Sequence, residues 1–482
     1  MDRRLRPSAA LAVVCAVAGA ACSGGVAQPA VGPPVAPTSP GLETLAESVR
    51  KDIAKVWPRT GRIWPGMDFT DHNVLITDGR KTYAVDKDGR RAVSPEELKR
   101  NKVDVPQQGG FDVVSWQGKD SVIVRPPEGR AAESLKQDPT GLGSPDVASY
   151  TFELATHEQF HPYVQHDKKA PWKSLEEAEK RGGGARDELY PLKAEPRIHR
   201  AMIYNSLLTA YEDPGRRTEQ LAAAAYWHRA WTEQYPDEAE QWASTDLLEG
   251  TAKYVERVAV AMARSDDPDS ESQVRAYLVR TLKPMKVAAK GLEPYAIGTA
   301  ALLNADELGL DVKKTLTTEP VTPLSLLLKN VRPAARQTAP DDVVRGIRNS
   351  VAKTNEELAG EIEPFVKGVQ DKRKTVLMLP ADRVSGSLGG KGFYTTEELP
   401  ITIVPAARVT FRLASGTITL DQVTTGELIQ DDNTAYFAVP LDPEDENVSL
   451  KGNRLTLTGD GLTGTATVRS TMDDGQRFLY AQ

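Results

Sequence analysis

The chain has 482 residues, with 60 Lys and Arg against 67 Asp and Glu and a formal net charge of −7. That acidic balance, with no basic aromatic patch and no Gly-rich phosphate loop, argues against a nucleic-acid partner. The length favours two or three domains, each able to bury its own core. The only cysteines are Cys15 and Cys22, so nothing later in the chain can form an internal disulfide.

Residues 1–21 read as an export signal. Arg3, Arg4 and Arg6 make a basic start, and Ala9 to Ala21 make an apolar run too short for a comfortable membrane span. Removing them deletes three arginines and one aspartate, which takes the net charge to −9. The segment Gly19-Ala20-Ala21-Cys22 resembles the lipobox of bacterial lipoproteins, in which the cysteine becomes the lipidated first residue. The resemblance implies a lipid anchor at Cys22 on the outer face of the bacterial cell membrane. Gly19 replaces the usual larger aliphatic residue there, and plain secretion after cleavage nearby is the alternative. No later stretch is long and apolar, so the lipid would be the sole membrane contact.

Residues 22–41 are rich in Gly, Ala and Pro and read as an extended tether. A helix is expected over Leu42 to Val56. Short β-like pieces follow at Asn73–Thr77, Lys81–Val85, Asp112–Trp116 and Ser121–Val124, separated by Gly and Asp turns. They suggest a small antiparallel sheet. From Ser144 to about Val369 the pattern is helical. Ser144-Pro145-Asp146 supplies a cap, a first-turn proline and an acid near the positive end of a helix.

That helix carries the pentapeptide HEQFH, with His157, Glu158 and His161. Val147, Tyr150, Leu154, His157 and His161 fall on one stripe at helical spacing. Two histidines four apart project from one face and can reach one ion, with Glu158 beside the first where it can hold a water. The competing reading is a pair of hydrogen-bonded core histidines. Pro162 lacks the N–H that would bond the Glu158 carbonyl, so the helix must end or bend there.

A catalytic zinc usually takes three protein ligands and keeps one position open. The candidate third ligand is Glu249 in "STDLLEGTAKYVE", 88 residues beyond His161. Glu249, Gly250, Ala252 and Tyr254 resemble the EGxAxY segment of gluzincin-like peptidases of the HExxH superfamily, where the glutamate completes the site. The chain is unlike metzincins, since positions 164 and 167 hold Val164 and Asp167. It is also unlike short-spaced gluzincins, since Lys180 and Arg181 stand where their glutamate would be. Small Gly250 and Ala252 would let this helix approach the HEQFH helix. Alternatively, Asp246 and Glu249 have capping-box spacing and would close a local helix start.

Between the motifs, two segments resemble an inserted helical hairpin carrying His199, His228 and Arg229, each read first as a packing or surface residue. The resemblance implies a peptide or protein substrate, a Zn2+ cofactor held by His157, His161 and Glu249, and Glu158 as the base. It also suggests Tyr295 as an oxyanion stabiliser, against the alternative of a core tyrosine. A non-catalytic envelope lipoprotein that uses the same scaffold for binding is the second reading.

From about Thr375 the texture changes to short strand candidates: Val376–Leu379, Ile401–Val404, Val409–Leu413, Thr417–Leu420, Ala435–Val439, Arg454–Thr458 and Thr465–Arg469. The acidic run Asp442, Glu444, Asp445 and Glu446 reads as a solvated loop rather than a calcium site. The expected fold is α+β: a mainly helical zincin-like domain over residues 42–372 with a small N-terminal antiparallel sheet, then an all-β accessory domain over 375–482, sandwich-like or a small barrel.

Overall fold

The computed structural model describes residues 41–135, 143–182, 187–289, 291–399, 401–430 and 434–482. The export signal, Cys22 and all of the tether but Gly41 lie outside them. The described residues form an α+β protein that divides into two compact units. One, mainly helical, contains the described residues of 41–185 and 193–350; the other, mainly β, contains 187–192 and 351–482. The division thus falls inside helix Asp341–Gln370 rather than near residue 372. No helix among the described residues is long and apolar enough to cross a membrane.

The helical unit opens with helix Leu42–Val56, which buries Leu45, Ala46, Val49, Ile53 and Val56 along one stripe. Five strands follow: β1 (Asn73–Thr77), β2 (Thr82–Val85), β3 (Arg90–Val93), β4 (Phe111–Trp116) and β5 (Lys119–Val124). Their order is β3-β2-β1-β5-β4. Three pairings are antiparallel, but central β1 runs parallel to β5, with Asn73 opposite Ser121 and Ile76 opposite Val124. The sheet is therefore mixed, not antiparallel throughout. β1 is buried at every position, as a central strand packed on both faces must be. β3 was not expected, because in "RRAV" only Val93 is buried and no alternation marks it.

The first four residues of HEQFH end helix Val147–Phe160, called here the motif helix, and His161 follows directly after it. Its cap is Asp146, which accepts from the Ser149 N–H at 2.8 Å; Ser144, the expected cap, instead donates to buried Glu153. Every residue from Thr151 to Phe160 is buried, so this helix is enclosed on all sides. Helices Ala194–Glu212 and Arg217–Gln234 form the expected hairpin and pack on each other. Next comes the longest helix of the unit, Pro236–Arg264, here the carboxylate helix, and later helix Glu293–Glu307.

In the β unit, strands Gly416–Ile429, Ala435–Leu441, Thr375–Pro380, Gln476–Ala481 and Leu462–Asp473 pair in that cyclic order. The last pairs back to the first, so the ring closes into a small barrel rather than a two-sheet sandwich. Leu377, Leu379, Ile418, Phe437, Val439 and Leu479 fill its core. The two segments expected at 401–404 and 409–413 are one strand, Thr402–Leu413, irregular around Ala406 (φ 47°). Residues 442–446 are an exposed loop, with Asp442 and Asp445 accepting from the backbone N–H two residues on.

Closure depends on glycine. A Cβ at Gly464 (φ 129°) would stand 2.0 Å from the Thr417 carbonyl oxygen. We expect Gly464→Ala to destabilise the barrel by on the order of 2 kcal/mol. Hydrogen exchange should accelerate in peptides from Gly416–Ile429 and Leu462–Asp473; unchanged protection there would contradict this account of the closure.

Candidate metal centre

The carboxylate helix passes the motif helix so that Glu249 meets both histidines. Its Oε2 lies 3.2 Å from His157 Nε2 and 3.7 Å from His161 Nε2, and the two ring nitrogens are 3.0 Å apart. Glu249 is 0 % exposed and His157 3 %. This buried group could hold a metal ion.

The protonation pattern supports a cation at this point. His157 Nδ1 lies 2.7 Å from Glu256 Oε2, a carboxylate that can only accept, and this proximity, short of hydrogen-bond geometry, favours the hydrogen on Nδ1. In the neutral ring Nε2 is then a bare lone pair aimed at the Glu249 oxygen. Two acceptors at that distance repel unless a positive charge joins them. Burial alone would lower the His157 pKa, but Glu249 and Glu256 overcome it and hold it at about 10. Without a metal, then, a proton takes the cation's place. Burial also works to raise Glu256, yet Lys253 and His157 keep its carboxyl at about 2. His161 moves the other way: burial lowers it, against the pull of Glu249.

Pro162 has the expected effect, with a refinement. The α-helix stops at Phe160 and the chain continues as one π turn, His161–Gln165, closed by His166 N–H to His161 O at 2.8 Å. A wider turn has no need of the bond that proline cannot make. Gln165, fully buried, reaches His161 Nδ1 at 2.5 Å and also contacts Leu248 O and Thr251 Oγ1 of the carboxylate helix.

Glu249 sits in the interior of a 29-residue helix, so it closes no helix start. Its supposed capping partner Asp246 pairs instead with buried Arg200, at 2.5 and 3.2 Å. Gly250 permits a close approach to helix Glu293–Glu307, not to the motif helix. A Cβ there would lie 2.9 Å from Gly298 Cα, and one at Gly298 would lie 2.3 Å from Gly250 Cα. That approach brings Tyr295 beside the centre, its ring 6.1 Å from the His157 ring and nearly parallel to it. Tyr254 turns away, accepting from Lys313 at 2.8 Å and donating to Asp306. Glu158 is 1 % exposed.

The hairpin histidines stand outside this group. His199 packs near Trp227 and Tyr235, and Arg229 is exposed beside Glu233. His228 packs by Trp231. Sequence reasoning missed Gln165 and Glu256. Gln165 continues the 157–161 stripe by another four residues, and Glu256 lies two helical turns beyond Glu249, so the spacing was there to read.

Burial and the nearby Arg200 charge push His228 down to about 4. The unfolded chain therefore takes up a proton below its ordinary value near 6.5 that the fold refuses. Stability from this group is present above pH 6.5 and lost as pH falls toward 4. All seven tryptophans lie between Trp57 and Trp242, so their fluorescence reports the helical unit alone. In urea titrations, the loss of stability from pH 7.5 to pH 5 should be about 1–2 kcal/mol smaller in His228→Gln than in the unsubstituted protein. Equal losses would count against a neutral, half-buried His228.

No family model, no characterised protein and no solved structure matches this chain.

Proposed function

We propose that this protein is a zinc-dependent peptidase, exported and held by a lipid on Cys22 at the outer face of a bacterial cell membrane. The observation that carries the reading is the meeting of Glu249 with His157 and His161 from 88 residues away. Two imidazoles and one carboxylate are the donor set of a catalytic zinc site with a position left for water. A bound zinc ion would supply Lewis acidity toward water and toward a peptide carbonyl.

The chain's own residues do the rest. Glu158, next to the first ligand, takes a proton from the attacking water at its carboxylate and delivers it to the departing amine. Tyr295 is the donor proposed to meet negative charge growing on the carbonyl oxygen. Glu256 keeps the His157 lone pair directed at the ion, and its negative charge strengthens that nitrogen as a donor to metal. The near-complete burial of Glu158 is the observation on the side of the second reading, a scaffold that binds without cleaving.

Purified protein is expected to carry one zinc per chain, and Glu249→Ala to lose it while keeping its tryptophan fluorescence. Full zinc occupancy in that variant would remove Glu249 from the ligand set. On a mixed peptide library, Glu158→Gln should keep zinc and lose cleavage. Tyr295→Phe should keep zinc and slow cleavage roughly 10–100-fold. Zinc-loaded protein that cleaves nothing would favour the binding reading, and undiminished cleavage by Glu158→Gln would remove that residue from the mechanism.

A further inference from the structure

We propose that Gln165, set in the π turn imposed at Pro162, is a positioning residue that fixes which nitrogen of His161 faces the metal and locks the motif helix to the carboxylate helix. The inference rests on the metal reading of the site and concerns a residue outside the HEQFH motif.

The hydrogen bonds around Gln165 settle their own direction. One end of its amide lies 2.8 Å from the Leu248 carbonyl oxygen and 2.7 Å from Thr251 Oγ1. A carbonyl only accepts. The single hydrogen of the Thr251 hydroxyl is committed to a backbone carbonyl, Leu247 O at 2.8 Å, so Oγ1 must accept as well. The amide end facing these two acceptors is therefore the NH2 group. Its other end, Oε1, is left against His161 Nδ1 at 2.5 Å. An amide oxygen only accepts, so Nδ1 carries the hydrogen. In the neutral ring Nε2 is then a lone pair, and it is the nitrogen that faces His157 and Glu249.

The arrangement also fixes geometry. Gln165 is 0 % exposed, so no water competes for its amide. Leu248 and Thr251 flank Glu249 on the carboxylate helix, one residue before it and two after. One side chain thus joins the second histidine to the backbone beside the third ligand. Both of its donors and its acceptor are used, as a buried amide requires.

The test uses full-length protein, with zinc affinity measured by competition against a chromogenic chelator and site symmetry read from the visible spectrum of the Co2+ form. Gln165→Leu is expected to weaken zinc binding 10–100-fold and to change the Co2+ bands. Thr251→Val, which removes only one of the acceptors holding the amide, should weaken it severalfold and lower the unfolding midpoint only slightly. This second variant keeps the idea testable if Gln165→Leu does not fold. His161→Ala serves as the loss-of-site control. If the unsubstituted protein binds zinc and His161→Ala does not, yet the folded Gln165 and Thr251 variants bind as the unsubstituted protein does, the positioning role is overturned and the metal reading stands. If the unsubstituted protein binds neither zinc nor cobalt, both fall.

Discussion

Two imidazole nitrogens and a carboxylate oxygen face one another across 3.0 to 3.7 Å, with Glu249 and His157 buried and His161 partly exposed. Such groups stay together only with positive charge between them, because each would otherwise lose its hydration and gain repulsion. The raised pKa of His157 and the paired state of Glu256 both follow from that demand. The same demand gives the proposed zinc chemistry its physical basis.

Holding acceptors in opposition requires a stiff frame, and the helical unit supplies one at backbone level. The carboxylate helix and helix Glu293–Glu307 touch through Gly250 and Gly298 with no space for a methyl group. One turn before Glu249, Asp246 grips Arg200, whose guanidinium lies between Trp231 and Trp242 at 4.5 and 4.8 Å. Arg197 covers the same Trp242 ring and pairs with Glu293, two residues before Tyr295. Buried charges of this kind add little net stability, since desolvation offsets most of the attraction. Their value is geometric: breaking one leaves an unpaired charge in the core, so the helices have few alternative ways to pack.

The candidate ligand set was legible in the sequence because its physics is local in two cases out of three. His157 and His161 share a helical face whatever surrounds them, whereas Glu249 was found through the resemblance of its segment to EGxAxY. Gly250 signalled a close neighbour, yet size alone does not name the neighbour, and the partner is Gly298 rather than the motif helix. Gln165 and Glu256 kept helical spacing with their partners but belong to no motif. The parallel β1–β5 pairing and the closing of the β ring depend on contacts between distant strands. Alternation within one strand carries no information about those. Strand Glu188–Tyr190 is only three residues long, below the length at which any period can be read.

That short strand has a topological consequence. It pairs in parallel with Tyr394–Thr396, and Asp187 just before it accepts from the Thr402 hydroxyl at 2.6 Å. The polypeptide thus leaves the helical unit for six residues, contributes to the β unit, and returns to build the hairpin and the carboxylate helix. Neither body is contiguous in the gene product. On a chain made from its amino end, residues 187–192 must wait about two hundred positions for their partner strand. A fragment beginning at residue 351 would start life with a vacant sheet margin.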